Sequence, residues 1–307
     1  MRIIFMGTPE FAIPSLRVLI DHEYIIAAVV TVPDRPAGRG RLVSPSPVKS
    51  FALQNGLDVL QPERLADPAF IEACSALQPD LIVVVAFRIL PPAVYRLGRL
   101  GAFNLHASLL PKYRGAAPIN RAIMNGEKET GVTTFFLQEK VDTGNIILQA
   151  RTPIGEDMTA GELHDALAEI GAEIVLHSVR LIESGSAKPR PQNDSLACGA
   201  PKLIKEECRI DWSRDALQVH NFIRGLSPRP CAFTAHEGTT LRIYRSRRSD
   251  TAAPVQPGTV IEAGDTLRVA AGAGSVEILE LQQEGKRRME AQEFVRGYSL
   301  KKGDFLA

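Results

Sequence analysis

Apolar runs recur along the first part of the chain, at Arg2–Met6, Tyr24–Val30 and Leu81–Val85, and the last has no polar position at all. A strand that is apolar at every position is covered on both faces, as in a parallel sheet. Stretches with helical spacing lie between these runs: one after Gly7-Thr8-Pro9 that ends near His22, one around Val48–Asn55 and one around Pro68–Ala76. Strands alternating with helices predict βαβ units and a mostly parallel sheet. Gly101–His106 is the next strand. A helix follows near Ala117–Asn125, then a pair of strands over Val132–Gln138 and Asn145–Ala150 that flank Lys140–Gly144. The last element of this part is a long helix from Thr159 to about Glu183. Asp157 or Thr159 is placed to cap it, with Glu162 in its first turn.

Beyond Glu183 the pattern changes. Ser184 to about Lys202 holds Gly, Ser, Pro, Asn and Asp with little periodicity and reads as a linker. A helix over Ala216–Leu226 is followed by short alternating segments at Cys231–Ala235, Thr240–Tyr244, Gly258–Ile261, Leu267–Ala270 and Val276–Leu281, then by a closing helix at Ala291–Arg296. Antiparallel strands at this spacing predict a small barrel. The expected division is an α/β domain over residues 1–188, a linker over 189–203 and a β-barrel domain over 204–307.

Composition narrows the functional classes. A chain of 307 residues suits two domains of ordinary size. The net charge of +1 provides no overall field for nucleic acid, so any such site has to be a local patch. The four cysteines, Cys74, Cys198, Cys208 and Cys231, form no CxxC pair. This argues against a structural zinc site or a disulfide scaffold and suits a reducing compartment. The chain opens on a strand, and no apolar run is long enough to span a bilayer. The expectation is a cytoplasmic protein with no membrane partner and no metal.

Asn104 and His106 stand two apart on a strand and therefore share a face, with Leu105 on the other. At the C-terminal end of a parallel strand, that face borders the crevice where open α/β sheets bind ligands. An amide donor beside an imidazole is a kit for stabilising an oxyanion and moving a proton. Asp142, in the turn Lys140-Val-Asp-Thr-Gly144, is expected to fold over the cleft, accept the His106 ring proton and fix its tautomer. A histidine at a strand end is more often a structural residue, and an aspartate in a turn is more often solvated. Ser108-Leu109-Leu110-Pro111 is either a backbone cradle for a planar heterocycle or a plain strand exit. Gly7 follows the first strand, but the dinucleotide fingerprint needs three spaced glycines there, and Glu10 would repel phosphate. Gly7 reads as a tight strand-to-helix turn.

Two basic regions remain. Pro33–Gly40, with Arg41 beside it, is an adaptable loop that carries Arg39 and suits phosphate contacts. In the barrel, Arg242, Arg245, Arg247 and Arg248 are followed by Lys286-Arg-Arg288 and Lys301-Lys302. Arg242 and Tyr244 alternate with Leu241 and Ile243, which places them on the outer face, where a basic strip with an aromatic suits RNA. A solvated face is the alternative reading of both regions.

Together these stretches resemble the methionyl-tRNA formyltransferase family over nearly the whole chain. The resemblance is carried by Met6–Phe11, Pro33–Gly40, Pro45–Lys49, Asn104–Gly115, Ala116–Pro118, Glu129–Val132, Asp142–Gly144 and Arg209–Trp212. It implies a Rossmann-like catalytic domain followed by an OB-like domain that binds tRNA. It also implies transfer of a formyl group from 10-formyltetrahydrofolate to the α-amino group of methionine on initiator tRNA. The partners implied are that tRNA and the folate, with the chain acting as a monomer. An aminoacyl amine with a pKa near ~8 is substantially neutral at cellular pH and needs little activation. By the same resemblance, Asn104 and His106 donate to the developing oxyanion, and Asp142 orients His106 or assists proton removal. Ser108, Leu109, Leu110 and Pro111 line the folate site. Arg39 matches the loop arginine that the family uses on the acceptor stem; Arg41 beside it, and Arg242, Arg245 and Lys286 of the barrel's basic strip, are the other residues expected to bind tRNA. Ala86-Phe-Arg-Ile-Leu-Pro91 departs from the family pattern by being one residue shorter where the pterin pocket is expected. The rival readings are a formyltransferase acting on a small amine, a non-catalytic RNA-binding protein and a nicotinamide-dependent oxidoreductase. The third is disfavoured by the missing glycines.

Overall fold

The computed structural model describes residues 1–37, 42–251, 254–298 and 300–307. The chain forms two compact units. The first comprises Met1–Gly115, Gly131–Thr152 and His164–Gly199; the second comprises Ala116–Thr130, Pro153–Leu163 and Ala200–Ala307.

The first unit is built on a seven-stranded sheet. Its strands run in the order Ile146–Pro153, Glu129–Phe136, Ala102–His106, Leu81–Val85, Arg2–Gly7, Ile25–Val30 and Val59–Leu60. From Ala102–His106 to Val59–Leu60 every pairing is parallel, and Glu129–Phe136 joins antiparallel. The apolar runs account for the centre: all of Leu81–Val85 is buried, as are Ile3 to Met6. The chain builds outward from Arg2–Gly7 to one side and then returns to add Leu81–Val85 on the other. The order therefore reverses beside Arg2–Gly7, and such a switch point opens a crevice at the strands' carboxyl ends. Gly7 sits there for lack of room: a Cβ on it would lie 2.8 Å from the Ala12 Cβ and 3.1 Å from the Val85 carbonyl oxygen. The helices expected between the strands are present as Ile13–Asp21, Pro47–Gln54 and Pro68–Ala76. Ser46 and Asp67 cap the last two through their side chains.

The second unit carries an antiparallel sheet in the order Ala232–His236, Thr239–Ser249, Ser275–Gln283, Leu267–Ala270 and Val260–Ala263, with Arg288–Glu290 paired to Ser275–Gln283. The expected barrel needs a correction, because this ladder does not close on itself. Its two end strands are instead joined through the segment Gly303–Ala307. Ala307 exchanges backbone hydrogen bonds with Ala235 at 2.8 Å in both directions. On the other end strand, Val260 N–H donates to Asp304 O and Gly303 N–H to Val260 O, both at 2.8 Å. Leu306, nearly fully buried, fills the space beneath.

Two segments far away in sequence pack into this unit through helix Ala216–Leu226. Arg224 is buried at 3% exposure, and its guanidinium donates to the Gly155 and Met158 carbonyls and to Asn221 Oδ1. His220 bonds the Glu156 carbonyl, and Asn120 donates to the Gly225 carbonyl at 2.7 Å. Burial depresses the His220 pKa. Such attachments follow from packing, which a linear change of composition does not record.

The long helix Ala160–Glu183 begins with a capping box. Thr159 Oγ1 accepts from Glu162 N–H at 3.2 Å, and the Glu162 carboxylate accepts from Thr159 N–H at 2.8 Å. The Thr159 amide, followed by burial and the Arg245 guanidinium, acts on the Glu162 carboxyl, with the net effect of lowering its pKa. Thr159→Ala is expected to cost about 1 kcal/mol in urea unfolding. Glu162→Gln should destabilise the protein at neutral pH. Because the folded carboxyl titrates below its unfolded value, that difference should shrink as pH falls through the folded pKa.

Candidate active site

Strand Ala102–His106 delivers two polar side chains to one face. It pairs with Leu81–Val85 through Val84↔Asn104 and with Glu129–Phe136 through His106↔Thr133. Phe103 and Leu105 are buried on the opposite side. Leu105 packs against the long helix at Gly171, where a Cβ would lie 2.7 Å from its Cδ2. Asn104 and His106 therefore point away from that helix, as the alternation predicts. The Asn104 carboxamide makes no hydrogen bond among the described residues, and its Oδ1 is buried. A buried acceptor without a partner is costly, and nothing among the described residues compensates it.

The imidazole of His106 is buried, and Nε2 lies 2.8 Å from the Tyr113 carbonyl. A carbonyl only accepts, so Nε2 carries the proton and Nδ1 is left with a lone pair in the neutral ring. Nδ1 faces Asp142 Oδ2 at 3.9 Å. This corrects the expected tautomer: Tyr113 sets it, and Asp142 stands too far off to accept a hydrogen bond from the ring. It also alters the part expected of His106 as an oxyanion donor, because its N–H is already taken. Asp142 is instead held by the Gly115 N–H, which donates to Oδ2 at 2.9 Å. Its backbone is left-handed, with φ at +55°. Gly144 is required two residues on, since a Cβ there would overlap the Phe136 carbonyl.

The loop Ser108–Pro111 is tied down from below. Thr133 Oγ1 donates to the Ser108 carbonyl at 2.6 Å and accepts from Leu110 N–H at 3.1 Å. Gln149 Nε2 donates to the Leu110 carbonyl and to Thr133 Oγ1. Ser108 is fully buried, and its hydroxyl donates to the Lys112 carbonyl at 2.6 Å. Leu110 packs with Phe135 and Ile146. The Ser108 hydroxyl and three backbone groups of Ser108 and Leu110 are thus committed inside the protein. The loop offers a fixed shape more than a row of free donors. Thr133, Gln149, Tyr113 and Gly115 were not singled out from the sequence; an alternating strand and a loop carry no sign of such bonds.

The segment where the family pattern is one residue short turns at Ala86, with φ at +47°. Arg88 donates to the Pro62 and Glu63 carbonyls, and its guanidinium lies over the Phe87 ring at 5.2 Å. Burial depresses the Arg88 pKa. Arg39 and Arg41 lie outside the described residues. At the base of their loop, Arg35–Ala37 pairs antiparallel with Leu42–Ser44. Asp34 there is bound by Lys49 Nζ at 2.5 Å and by Gln61.

On the second unit, Arg242, Arg245 and Lys286 are exposed, and Leu241 and Ile243 are buried as the alternation predicts. Much of the expected basic strip is neutralised locally. Arg245 pairs with Glu162 and Glu280, Arg288 with Glu280, Arg287 with Glu293 and Arg248 with Asp250. Arg242, Arg247 and Lys286 make no ion pair among the described residues. Arg288 also stacks over Tyr244 at 4.3 Å. All four cysteines are free, and burial pushes the Cys231 thiol up to about 12 and Cys74 up to about 11. Among the described residues no group of His, Cys, Asp and Glu is placed to hold a metal ion.

A strand-borne Asn and His beside a turn-borne Asp, in a parallel sheet followed by an antiparallel one, define a class. Residues 1–179 match the model of the formyl transferase family, and residues 202–299 match that of the formyl transferase C-terminal domain. The chain belongs to the formyl transferase family. A protein of Chlorobium phaeovibrioides is 52% identical over 99% of this chain and 97% of its own length. One of Chlorobium luteolum is 54% identical over 97% of each. Both are named methionyl-tRNA formyltransferase, and at this likeness the chain belongs with them. The fold is similar to that of a solved sugar 3N-formyl transferase, WlaRD, with a TM-score of 0.70, 21% identity, and 94% of this chain and 99% of that one covered.

Thr133→Val should leave the Ser108 carbonyl and Leu110 amide unpaired in a buried setting. Urea unfolding is expected to show a loss of about 1–3 kcal/mol. A loss below that of an ordinary surface substitution would mean that the loop is held by other contacts.

Proposed function

We propose that this protein transfers a formyl group to the α-amino group of methionine carried on initiator tRNA, with 10-formyltetrahydrofolate as donor. The observation that carries the reading is the grouping of Asn104, His106 and Asp142, in a chain that belongs with methionyl-tRNA formyltransferases along almost its full length. The amine attacks the formyl carbon of the folate, and collapse of the tetrahedral intermediate breaks the bond from that carbon to the folate N10, which leaves with a proton in exchange for the one the amine gives up. The unpartnered Asn104 amide fits a group that begins to carry charge only during the reaction, because a donor without a prior partner costs nothing to reorganise. His106 then acts through Nδ1. With Nε2–H held by Tyr113, the Nδ1 lone pair is free to take a proton from the attacking amine. Asp142, 3.9 Å away, stabilises the imidazolium so formed. Two atoms at that separation can both be reached by one amine nitrogen at about 2.9 Å, so Asp142 can also orient the amine directly. Ser108, Leu109, Leu110 and Pro111 shape the folate side of the site.

For the tRNA we infer separate contributions from the two units. Arg39 and Arg41 act from the loop after Asp34. On the second unit Arg242 and Lys286 offer uncompensated charge, whereas Arg245 is held by two carboxylates and contributes less than its position suggests. The protein is proposed to work as a monomer in the cytoplasm, where translation substrates are found. No helix among the described residues is long and apolar enough to cross a membrane.

The deciding assay is formylation of methionyl initiator tRNA by the purified protein with 10-formyltetrahydrofolate. Product is expected, and Asn104→Ala should lower kcat by about two to three orders of magnitude. No product from an active donor preparation would exclude the reading, and formylation of a small amine in its place would favour the rival. Binding of the tRNA should weaken with salt as phosphate contacts release counterions. Arg242→Ala should reduce that salt dependence more than Arg245→Ala does.

A further inference from the structure

Asp142 presents its carboxylate from a surface turn with a left-handed backbone, which by itself is a poor support for a group that must stand beside His106. Its neighbours in the turn give only local help: Gln138 donates to Thr143 Oγ1, and Thr143 Oγ1 to the Lys140 carbonyl. The stronger hold comes from a residue some fifty positions on. Gln192 Nε2 donates to the Asp142 carbonyl and to the Gly144 carbonyl, each at 2.9 Å. One carboxamide therefore spans the turn and fixes the backbone on both sides of Thr143.

Gln192 is itself fixed. Its Oε1 accepts from Arg114 Nε at 3.2 Å and from Nη2 at 2.7 Å, a two-pronged contact that sets the carboxamide plane and leaves its NH2 pointing at the turn. Arg114 Nη2 also pairs with Asp194 at 2.7 Å, and the Arg114 guanidinium holds the Asp194 carboxyl below its ordinary range. Arg114 stands between the two residues that hold the catalytic pair. The Tyr113 carbonyl accepts from His106, and the Gly115 N–H donates to Asp142. The Arg114 N–H donates to the Cys198 carbonyl at 2.9 Å, which ties this stretch to the same downstream segment. The result is a closed ring of bonds through Arg114, Gln192, Asp142 and Gly115, to which His106 is tied through the Tyr113 carbonyl.

We propose that Gln192, oriented by Arg114, is a positioning residue that sets the place of Asp142 relative to His106. This rests on the reading of Asp142 and His106 as catalytic. The side chain of Gln192 is committed to Arg114 and to the Asp142 and Gly144 carbonyls. Its effect is on rate through geometry, where a misplacement of about 1 Å costs on the order of a hundredfold.

Two substitutions separate the donor side of Gln192 from its acceptor side. Gln192→Ala removes both. Gln192→Glu keeps an acceptor for Arg114 but has no N–H for the two carbonyls. Both variants are expected to lose about ten- to a hundredfold in kcat, with KM for methionyl-tRNA and for the folate changed less than threefold and the melting temperature close to that of the unmutated protein. In an Asp142→Ala background, Gln192→Ala should have no further effect on kcat, because the residue acts through Asp142. Wild-type kcat in either variant would overturn the proposal. So would an additive loss in the Asp142→Ala background, or a fall in melting temperature that accounts for the lost activity. An inactive unmutated protein would remove the function itself; an active one with unaffected Gln192 variants would remove this proposal alone.

Discussion

The hydrogen bond from His106 Nε2 to the Tyr113 carbonyl is the constraint on which the rest of the site depends. It fixes where the ring proton is, and so which nitrogen can do chemistry. The bond exists because the chain turns back on itself between Ser108 and Gly115, bringing a backbone carbonyl seven residues on against the end of the strand. That turn is held from below by buried Thr133 and half-buried Gln149, and by Leu110 in a small apolar cluster. The same turn supplies the amide of Gly115 to Asp142. One loop therefore sets the tautomer of the histidine and gives the aspartate a backbone donor. Asn104 alone is left without a partner, which suits a donor whose acceptor arrives with the reaction.

The fold provides the frame for this loop by ordinary means. Strands apolar on both faces build a parallel sheet whose order reverses beside Arg2–Gly7, and the strand that carries Asn104 and His106 lies next but one to Arg2–Gly7. Burial in the sheet fixes Leu105 against the long helix, and the pleat then determines where Asn104 and His106 point. In the second unit the charged face is largely self-compensated, with Glu162 and Glu280 taking up Arg245 and Arg288. Arg242, Arg247 and Lys286 are the cations of that face left without an ion pair among the described residues.

Much of this was legible in the sequence, and what was not follows a pattern. The strands and helices of the first unit could be read because their apolar runs are set by burial. The shared face of Asn104 and His106 could be read because strand alternation has a fixed period. The role of Tyr113 could not, since the contributing atom is a backbone carbonyl that any residue would supply. Gln192 could not either: it lies in a stretch that reads as a linker, and its bonds depend on how that stretch folds back. The bonds from Gly303–Ala307 to both end strands of the second sheet are of the same kind, backbone to backbone and without a side-chain signature. The charge pairs that quieten the basic strip come partly from Glu162, far away in sequence.

The neutral ring of His106 keeps its proton on Nε2, held by Tyr113, so that the Nδ1 lone pair faces Asp142. Nitrogen-15 NMR of the histidine rings, with His106 assigned by comparison with His106→Gln, measures this directly. The account predicts a protonated Nε2 and an unprotonated Nδ1 in the neutral ring. A neutral ring with its proton on Nδ1, bonded to Asp142, would contradict it.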